Sequence, residues 1–338
     1  MNRKTAIVIP SLNQGKFLEE TIQSVLNQDY PELEIFIIDG GSKDNSVEVI
    51  KKYESRITGW VSEKDSGQSE AINKGFERCT GEIVTWLCSD DLYTPGSLKM
   101  VNEVFNSLPP TVGVIHGNSE IFQGNSVINY DKGYGNWNLE RQLAGMTFPQ
   151  PSAFFRKSVL DKVGLLDERY HFGMDYDLFA RMRMISSFHY VDFFFSRYRL
   201  HNESKSTIAT AKFIGEWIIV FNSIIKGLEL NSVIEKLKEF GLSQETNGNT
   251  IMFFAQKKGA FHPDIEKLLY YFLVNVIRYD YATEEFKRVR QLGAYLKLHH
   301  FELLRNEPSI VKIIRRSNIL PPTLLKLARK FKRTLTNK

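Results

Sequence analysis

Ile83-Val84-Thr85-Trp86-Leu87-Cys88-Ser89-Asp90-Asp91 decides the reading of this chain. Its first five residues are apolar, β-branched or aromatic, which suits a short buried strand. The run stops on a serine and two adjacent carboxylates. Such a pair repels itself unless a cation or hydrogen-bond donors sit between the two groups. The stretch therefore predicts a strand of an α/β sheet whose carboxyl end meets a charged ligand, where open α/β sheets hold their ligands.

Working outward, strand and helix patterns alternate, which predicts α/β layers. Ala6-Ile7-Val8-Ile9-Pro10 reads as a buried strand, and Leu18, Ile22, Val25 and Leu26 follow at helical spacing. Glu34 to Asp39 is a second strand. Ser42-Lys43-Asp44-Asn45 opens a helix carrying Val47, Ile50 and Tyr53. Thr58 to Ser62 is a short strand, Ala71 to Phe76 a helix, and Val112 to His116 another strand. Polar residues gather where strands end: Asn13, Asp39, Asp65 and the Asp90-Asp91 pair. Acids at successive strand ends point to one shared cleft. Asp44 and Asp65 also fit a purely local role as caps. This series has no G-x-G-x-x-G or P-loop motif, so phosphates are not held mainly by backbone amides. A carboxylate pair with a hard divalent ion is the other common way to hold a diphosphate.

Beyond Val112 to His116 the pattern loosens. Gly133, Gly135 and Pro149-Gln150-Pro151 read as loops over a site. Ser158 to Val163 is a short helix capped by Ser158 and closed by Gly164, and Asp177 to Met184 is a helix. Phe188 to Leu200 is an aromatic strand. From about residue 207 the remainder reads as helices. Phe213 to Ile225 and Leu268 to Ile277 are too short or too interrupted to span a bilayer and read as core helices. The apolar run Ala6 to Pro10 is likewise too short for a signal peptide. Cys79 and Cys88 lack metal-ligand spacing and read as small core hydrophobes. That usage fits a cytoplasmic protein.

The motifs Thr5-Ala6-Ile7-Val8-Ile9-Pro10-Ser11-Leu12-Asn13, Ile38-Asp39-Gly40-Gly41-Ser42-Lys43-Asp44 and Trp86-Leu87-Cys88-Ser89-Asp90-Asp91, in this order, resemble the inverting glycosyltransferases of family 2. The resemblance covers about residues 4 to 206. It implies a GT-A catalytic domain over 1–206, with a mixed Rossmann-like sheet flanked by helices. A helical region over 207–338 follows. It implies a nucleotide-diphosphate-sugar donor and a saccharide or lipid-linked saccharide acceptor, as in bacterial surface polysaccharide synthesis. By position, Pro10, Ser11 and Asn13 fall on the nucleotide side, with Asp39 and Asp65 on the base. Asp90 and Asp91 match the ribose and metal acids, with Asp91 on the metal. His201 resembles a late metal or diphosphate contact, and Arg199 and Lys205 are candidates to neutralise the diphosphate. Oxygen ligands suit Mg²⁺ or Mn²⁺, and a histidine ligand favours Mn²⁺. Asp175, in Gly173-Met174-Asp175-Tyr176-Asp177, falls where the catalytic base lies. Met174 departs from the family's frequent Glu-Asp, so Asp177 stays a competitor. Asp175 also fits a plain helix cap.

Trp86, Trp137 and Phe193-Phe194-Phe195 are candidate sugar platforms, although aromatic residues on strands more often form core. The chain carries 44 Lys or Arg against 39 Asp or Glu. Nine of the cations and no acid lie between Lys312 and Lys338, which leaves the body at 35 against 39. Residues from about 320 to 338 read as a basic amphipathic helix, suited to peripheral contact with the inner face of the cell membrane or to packing with a solvated basic face. The acidic body argues against a nucleic-acid partner. Two other readings are a sugar nucleotidyltransferase, whose Gly-rich basic loop Ser11-Leu12-Asn13-Gln14-Gly15-Lys16 matches poorly, and a non-catalytic nucleotide-sugar-binding subunit.

Overall fold

The structure, a computed structural model, describes residues 2–133, 138–205, 209–246, 248–257, 259 and 261–326. It divides into two compact units, Met1–Asn138 with Met146–Ile208 and Leu139–Gly145 with Ala209–Lys338.

The first unit runs β1 (Thr5–Ser11), α1 (Gly15–Leu26), β2 (Leu33–Asp39), α2 (Ser46–Lys52), β3 (Gly59–Ser62), α3 (Gln68–Phe76), β4 (Ile83–Trp86), β5 (Leu92–Tyr93), α4 (Ser97–Ser107), β6 (Val112–Gln123) and β7 (Ser126–Asp131). After α5 (Leu139–Leu143), which belongs to the second unit, it resumes with β8 (Ala153–Arg156), α6 (Lys157–Val163), α7 (Met174–Arg183) and β9 (Ser187–Arg199). The strands form one sheet in the order β3-β2-β1-β4-β8-β6-β9-β5, with β7 paired to β6. β1 is parallel to β2 and β4, and β2 to β3. β8 is antiparallel to β4 and β6, so the sheet is mixed. β1 is central because it is apolar on both faces, and Ala6 to Ile9 have no exposed surface. α3 lies close against it through Gly75, where a Cβ would stand 2.3 Å from Val8 Cγ1.

The strand order reverses at β1, with β2 and β3 on one side and β4 on the other. That reversal opens a crevice beyond the carboxyl ends of β1 and β4, which are Ser11 and the Leu87–Asp91 segment.

Three elements differ from expectation. β6 runs on to Gln123 because its polar residues are buried with partners: Asn118 Nδ2 donates to Asp192 Oδ1 at 2.9 Å, and Ser119 Oγ to Ser196 O at 3.2 Å. Hydrophobicity alone stops at His116. α6 starts at Lys157, and its N-cap Arg156 makes no side-chain cap bond, so Ser158 is not the cap; Gly164 does close it, at φ 81°. α7 starts at Met174, three residues before the expected Asp177, which puts Asp175 in its first turn.

The second unit holds α5, α8 (Thr210–Gly227), α9 (Asn231–Glu239), α10 (Asn249–Ala255), α11 (Ile265–Ala282), α12 (Phe286–His299), α13 (Phe301–Leu304) and α14 (Pro308–Ile319). Phe221 of α8 stacks on Phe272 of α11 at 3.7 Å between ring centroids, so the two apolar segments are core helices. Among the described residues, no helix is long and apolar enough to cross a membrane. Of the basic segment from about 320, Pro322 to Lys326 are helical, and residues 327–338 lie outside the described residues.

Candidate active site

A cleft of about 380 Å³ opens at the reversal point, walled by Pro10 and Ser11 of β1 with Leu12 just after it, and floored by Cys88, Asp90 and Asp91 after β4. The floor is shaped by backbone geometry. Leu87 N donates to Val8 O at 2.9 Å, and β5 pairs with β9 directly afterwards, so the chain must turn over residues 88–91. Asp91 N closes that turn on Cys88 O at 3.0 Å. The buried Thr21 hydroxyl lies 2.9 Å from both Ser89 O and Asp91 O.

Asp91 is 1% exposed, and its Oδ1 accepts one bond from Arg199 N at 3.0 Å. Burial raises its pKa well above the carboxylate range, and the charge of Asp90 adds to this. Asp90 is half-buried, with Oδ2 2.9 Å from His201 Nε2. Glu203 N lies 3.3 Å from His201 Nδ1, and the other ring nitrogen faces Asp90. Ligand atoms of Cys88, Asp90 and Asp91 lie within 4.8 Å of one another. Burial, then Asp91 and Asp90, push the Cys88 thiol well up, and Gln68 Nε2 lies 3.1 Å from its sulfur. The reading of Cys88 as a core hydrophobe is thus corrected, because it lines the cleft; Cys79 is buried.

Lys205 enters the cleft from the segment after β9. Its Nζ donates to Gln68 Oε1 at 2.8 Å and to His171 O at 3.3 Å. Asp65 also lines the cleft, with Oδ1 accepting from Gly67 N at 3.1 Å, and burial raises its pKa. Gly40 makes room for it, since a Cβ there would stand 2.6 Å from Asp65 Oδ2. Ser11 is 4% exposed, and its hydroxyl has no partner among the described residues.

Other residues singled out from the sequence have different surroundings. Asp39 is fully buried and takes Gly41 N, Ser42 N and the Ser42 and Ser62 hydroxyls, so its carboxylate holds the loop after β2. Asn13, at φ 53°, joins two loops: its Oδ1 accepts from Lys43 N, and its own N–H donates to Ser42 Oγ. Arg199 is not turned to a diphosphate. Its Nε donates to Asp90 O at 2.8 Å, its Nη2 pairs with Glu20 at 2.7 Å, and the guanidinium lies over Phe17 and Phe122. It holds the acid pair from behind. Asp175 is half-buried and accepts from Tyr176 N at 2.7 Å; the cleft wall carries His171, four residues earlier, rather than Asp175. Asp177 has no exposed surface and pairs with Arg181 at 2.7 Å, while Arg181 also donates to the carbonyls of Val163, Gly164 and Leu165. That removes Asp177 as a competing base. Trp86 is core, stacked on Phe179, and so is Phe195; Phe193 and Phe194 are half-buried. Trp137 and Gly135 lie outside the described residues. Sequence reasoning missed Cys88, Gln68 and His171 as cleft residues, although each lies within four residues of one it chose.

The mixed sheet and its crevice define an α/β protein of the GT-A fold. The crystal structure of S. aureus TarS 1-349 in complex with UDP-GlcNAc matches it with a TM-score of 0.56 at 15% identity, over 93% of this chain and 91% of that one. Residues 6–164 match the family model "Glycosyl transferase family 2". An uncharacterized glycosyltransferase of Rickettsia typhi is 27% identical over 68% of this chain and 74% of its own length. The GalNAc(5)-diNAcBac-PP-undecaprenol beta-1,3-glucosyltransferase of Campylobacter jejuni is 25% identical over 70% and 78%. The chain is a glycosyltransferase, and residues 6–164 carry its likeness to family 2.

Proposed function

We propose that this protein is a metal-dependent inverting transferase that moves a sugar from a nucleotide-diphosphate-sugar to a saccharide or lipid-linked saccharide hydroxyl. One observation carries the reading: the poorly solvated Asp90-Asp91 pair at the floor of a cleft at the sheet's reversal point. The TarS structure similar in fold holds UDP-GlcNAc, which supports a nucleotide-sugar donor. The Campylobacter relative's name, which specifies a diphosphoundecaprenol-linked saccharide, supports a lipid-linked acceptor.

A divalent ion fits the floor. Asp91 makes no side-chain ion pair among the described residues, and burial and Asp90 raise its pKa despite the nearby Arg199 charge, so added positive charge is favourable there. Asp91 and Asp90 would hold Mn²⁺ or Mg²⁺, with His201 behind Asp90; the thiol of Cys88, pushed up, stays protonated. Such an ion offsets charge on a departing diphosphate. Of the two candidate cations for that diphosphate, Lys205 lines the cleft, whereas Arg199 is engaged with Asp90 O and Glu20. Ser11 and Asp65 line the nucleotide side, and Asp39 and Asn13 shape the loops behind it.

Asp175 accepts the acceptor hydroxyl's proton as that oxygen attacks the anomeric carbon from the face opposite the diphosphate, so the configuration inverts. A positioned carboxylate base contributes about 10²–10⁴-fold. Its place in the first turn of α7, close in sequence to the cleft-lining His171, supports the role. The basic tail provides peripheral contact with the inner membrane face, where a lipid-linked acceptor resides.

The test is a thermal-shift screen of nucleotide sugars with Mn²⁺, followed by a transfer assay on the donor that binds. Binding to the native state raises the melting temperature. One nucleotide sugar should stabilise the protein, and more with Mn²⁺ than with EDTA. No shift from any nucleotide sugar would overturn the donor class; release of free diphosphate would favour a nucleotidyltransferase.

A further inference from the structure

α14 presents a cationic, acid-free face. Its inner side, Ile310, Ile314 and Ser317, is buried, and Ile314 packs on Gly293 of α12, where a Cβ would stand 2.7 Å from Ile314 Cγ2. Arg290 fixes its carboxyl end by donating to Ser317 O at 2.6 Å and Leu320 O at 3.0 Å. That anchoring turns Val311, Arg315 and Ile319, four residues apart, to the outside, with Lys312 and Arg316 exposed beside them. Ile319 is 65% exposed and Leu324, just beyond the helix, 51%. The preceding acid, Glu307, is taken by Arg141 and Arg278, at 2.9 and 3.0 Å. From Pro308 to the end of the sequence there is no acid at all.

We propose that this face, Val311, Lys312, Arg315, Arg316 and Ile319 continued by Leu324, docks on an anionic lipid bilayer. The mixture of groups selects the partner. A nucleic-acid backbone rewards the cations but gives large exposed aliphatic side chains nothing to enter. The interface of an anionic bilayer takes both, with cations at the headgroups and aliphatic side chains at the acyl boundary. The inference extends the membrane contact proposed for the tail to a folded helix, and it stands whether or not the cleft transfers sugar.

The experiment is co-sedimentation of the full-length protein with phosphatidylcholine vesicles, with and without phosphatidylserine. Each cation near such a surface contributes roughly fivefold to partitioning. Binding should require phosphatidylserine and weaken with salt. Full-length K312E/R315E/R316E should bind at least about tenfold more weakly, and Ile319→Ser a few-fold more weakly. R315Q/R316Q provides a milder variant should the triple one fail to fold, as judged by circular dichroism. Equal binding by these charge variants and the parent would overturn the proposal. So would equal binding to pure phosphatidylcholine, or displacement from vesicles by a short RNA. Donor-induced thermal shifts on the same preparations separate the two readings, because lost vesicle binding with a retained shift leaves the cleft's function standing.

Discussion

Two buried carboxylates of the first unit, Asp91 at the cleft floor and Asp177 in α7, have opposite surroundings. Asp177 is sealed against the Arg181 guanidinium, which is itself bonded to three carbonyls, so the charge is matched inside the fold. Asp91 has a backbone N–H and a like-charged neighbour, and its pKa rises. A buried acid with a built-in cation is part of the architecture, since losing one partner strands the other. A buried acid beside another acid on the floor of an open cleft is poorly matched in charge until a ligand arrives, and such perturbed groups cluster at functional sites.

The contrast can be broken at several points. The largest effect is expected from Asp91→Asn, which should lower transfer by about 10⁴-fold through loss of the ion that offsets leaving-group charge. Its melting temperature should hold or rise, because the folded state sheds a poorly solvated carboxylate; a large fall would make Asp91 structural like Asp177. Asp175→Asn should lower kcat by about 10²–10⁴-fold with donor-induced thermal shifts retained. Near-parental kcat would remove it as the base. Asp177→Asn should cost about 3–5 kcal/mol in urea unfolding while sparing activity per folded molecule; normal stability with lost activity would invert the comparison.

The pH dependence is subtler. A carboxylate with a raised folded-state pKa favours the fold below the ordinary carboxylate range, and that contribution fades as pH rises through the raised pKa. A bound divalent ion favours the ionised form, so the stabilisation by Mn²⁺ should grow from acid to neutral pH and vanish in Asp91→Asn. Melting curves across pH, with and without Mn²⁺, measure this. The smallest effect belongs to Lys205→Ala, expected to raise the donor KM by about tenfold, the value of one charge-assisted contact. An unchanged KM would leave Lys205 to its bonds with Gln68 and the carbonyl of His171.

Much of this was legible in the sequence. The apolar runs of β1, β2 and β4 and the polar residues that follow them placed the sheet's centre and the cleft floor, because burial on both faces demands uninterrupted hydrophobicity. The far side of the sheet was less legible. β6 buries Asn118 and Ser119 only because β9 supplies Asp192 and Ser196 across the pair, and pairing of that kind leaves no local pattern. The same holds for Arg199, whose charge suggested a phosphate contact and whose partners, Asp90 O and Glu20, lie far away along the chain.

The Asp90-Asp91 pair divides along that line. Sequence alone determined that two carboxylates follow a buried strand and need positive charge, since repulsion between neighbouring acids is a local property. Only the tertiary structure decided how they are held: Asp91 buried at the cleft floor with Arg199 N on its carboxylate, Asp90 more open beside His201, and Cys88 turned in beside both. Solvation and charge matching depend on what distant segments bring to the site, and those segments meet only when the sheet closes around it.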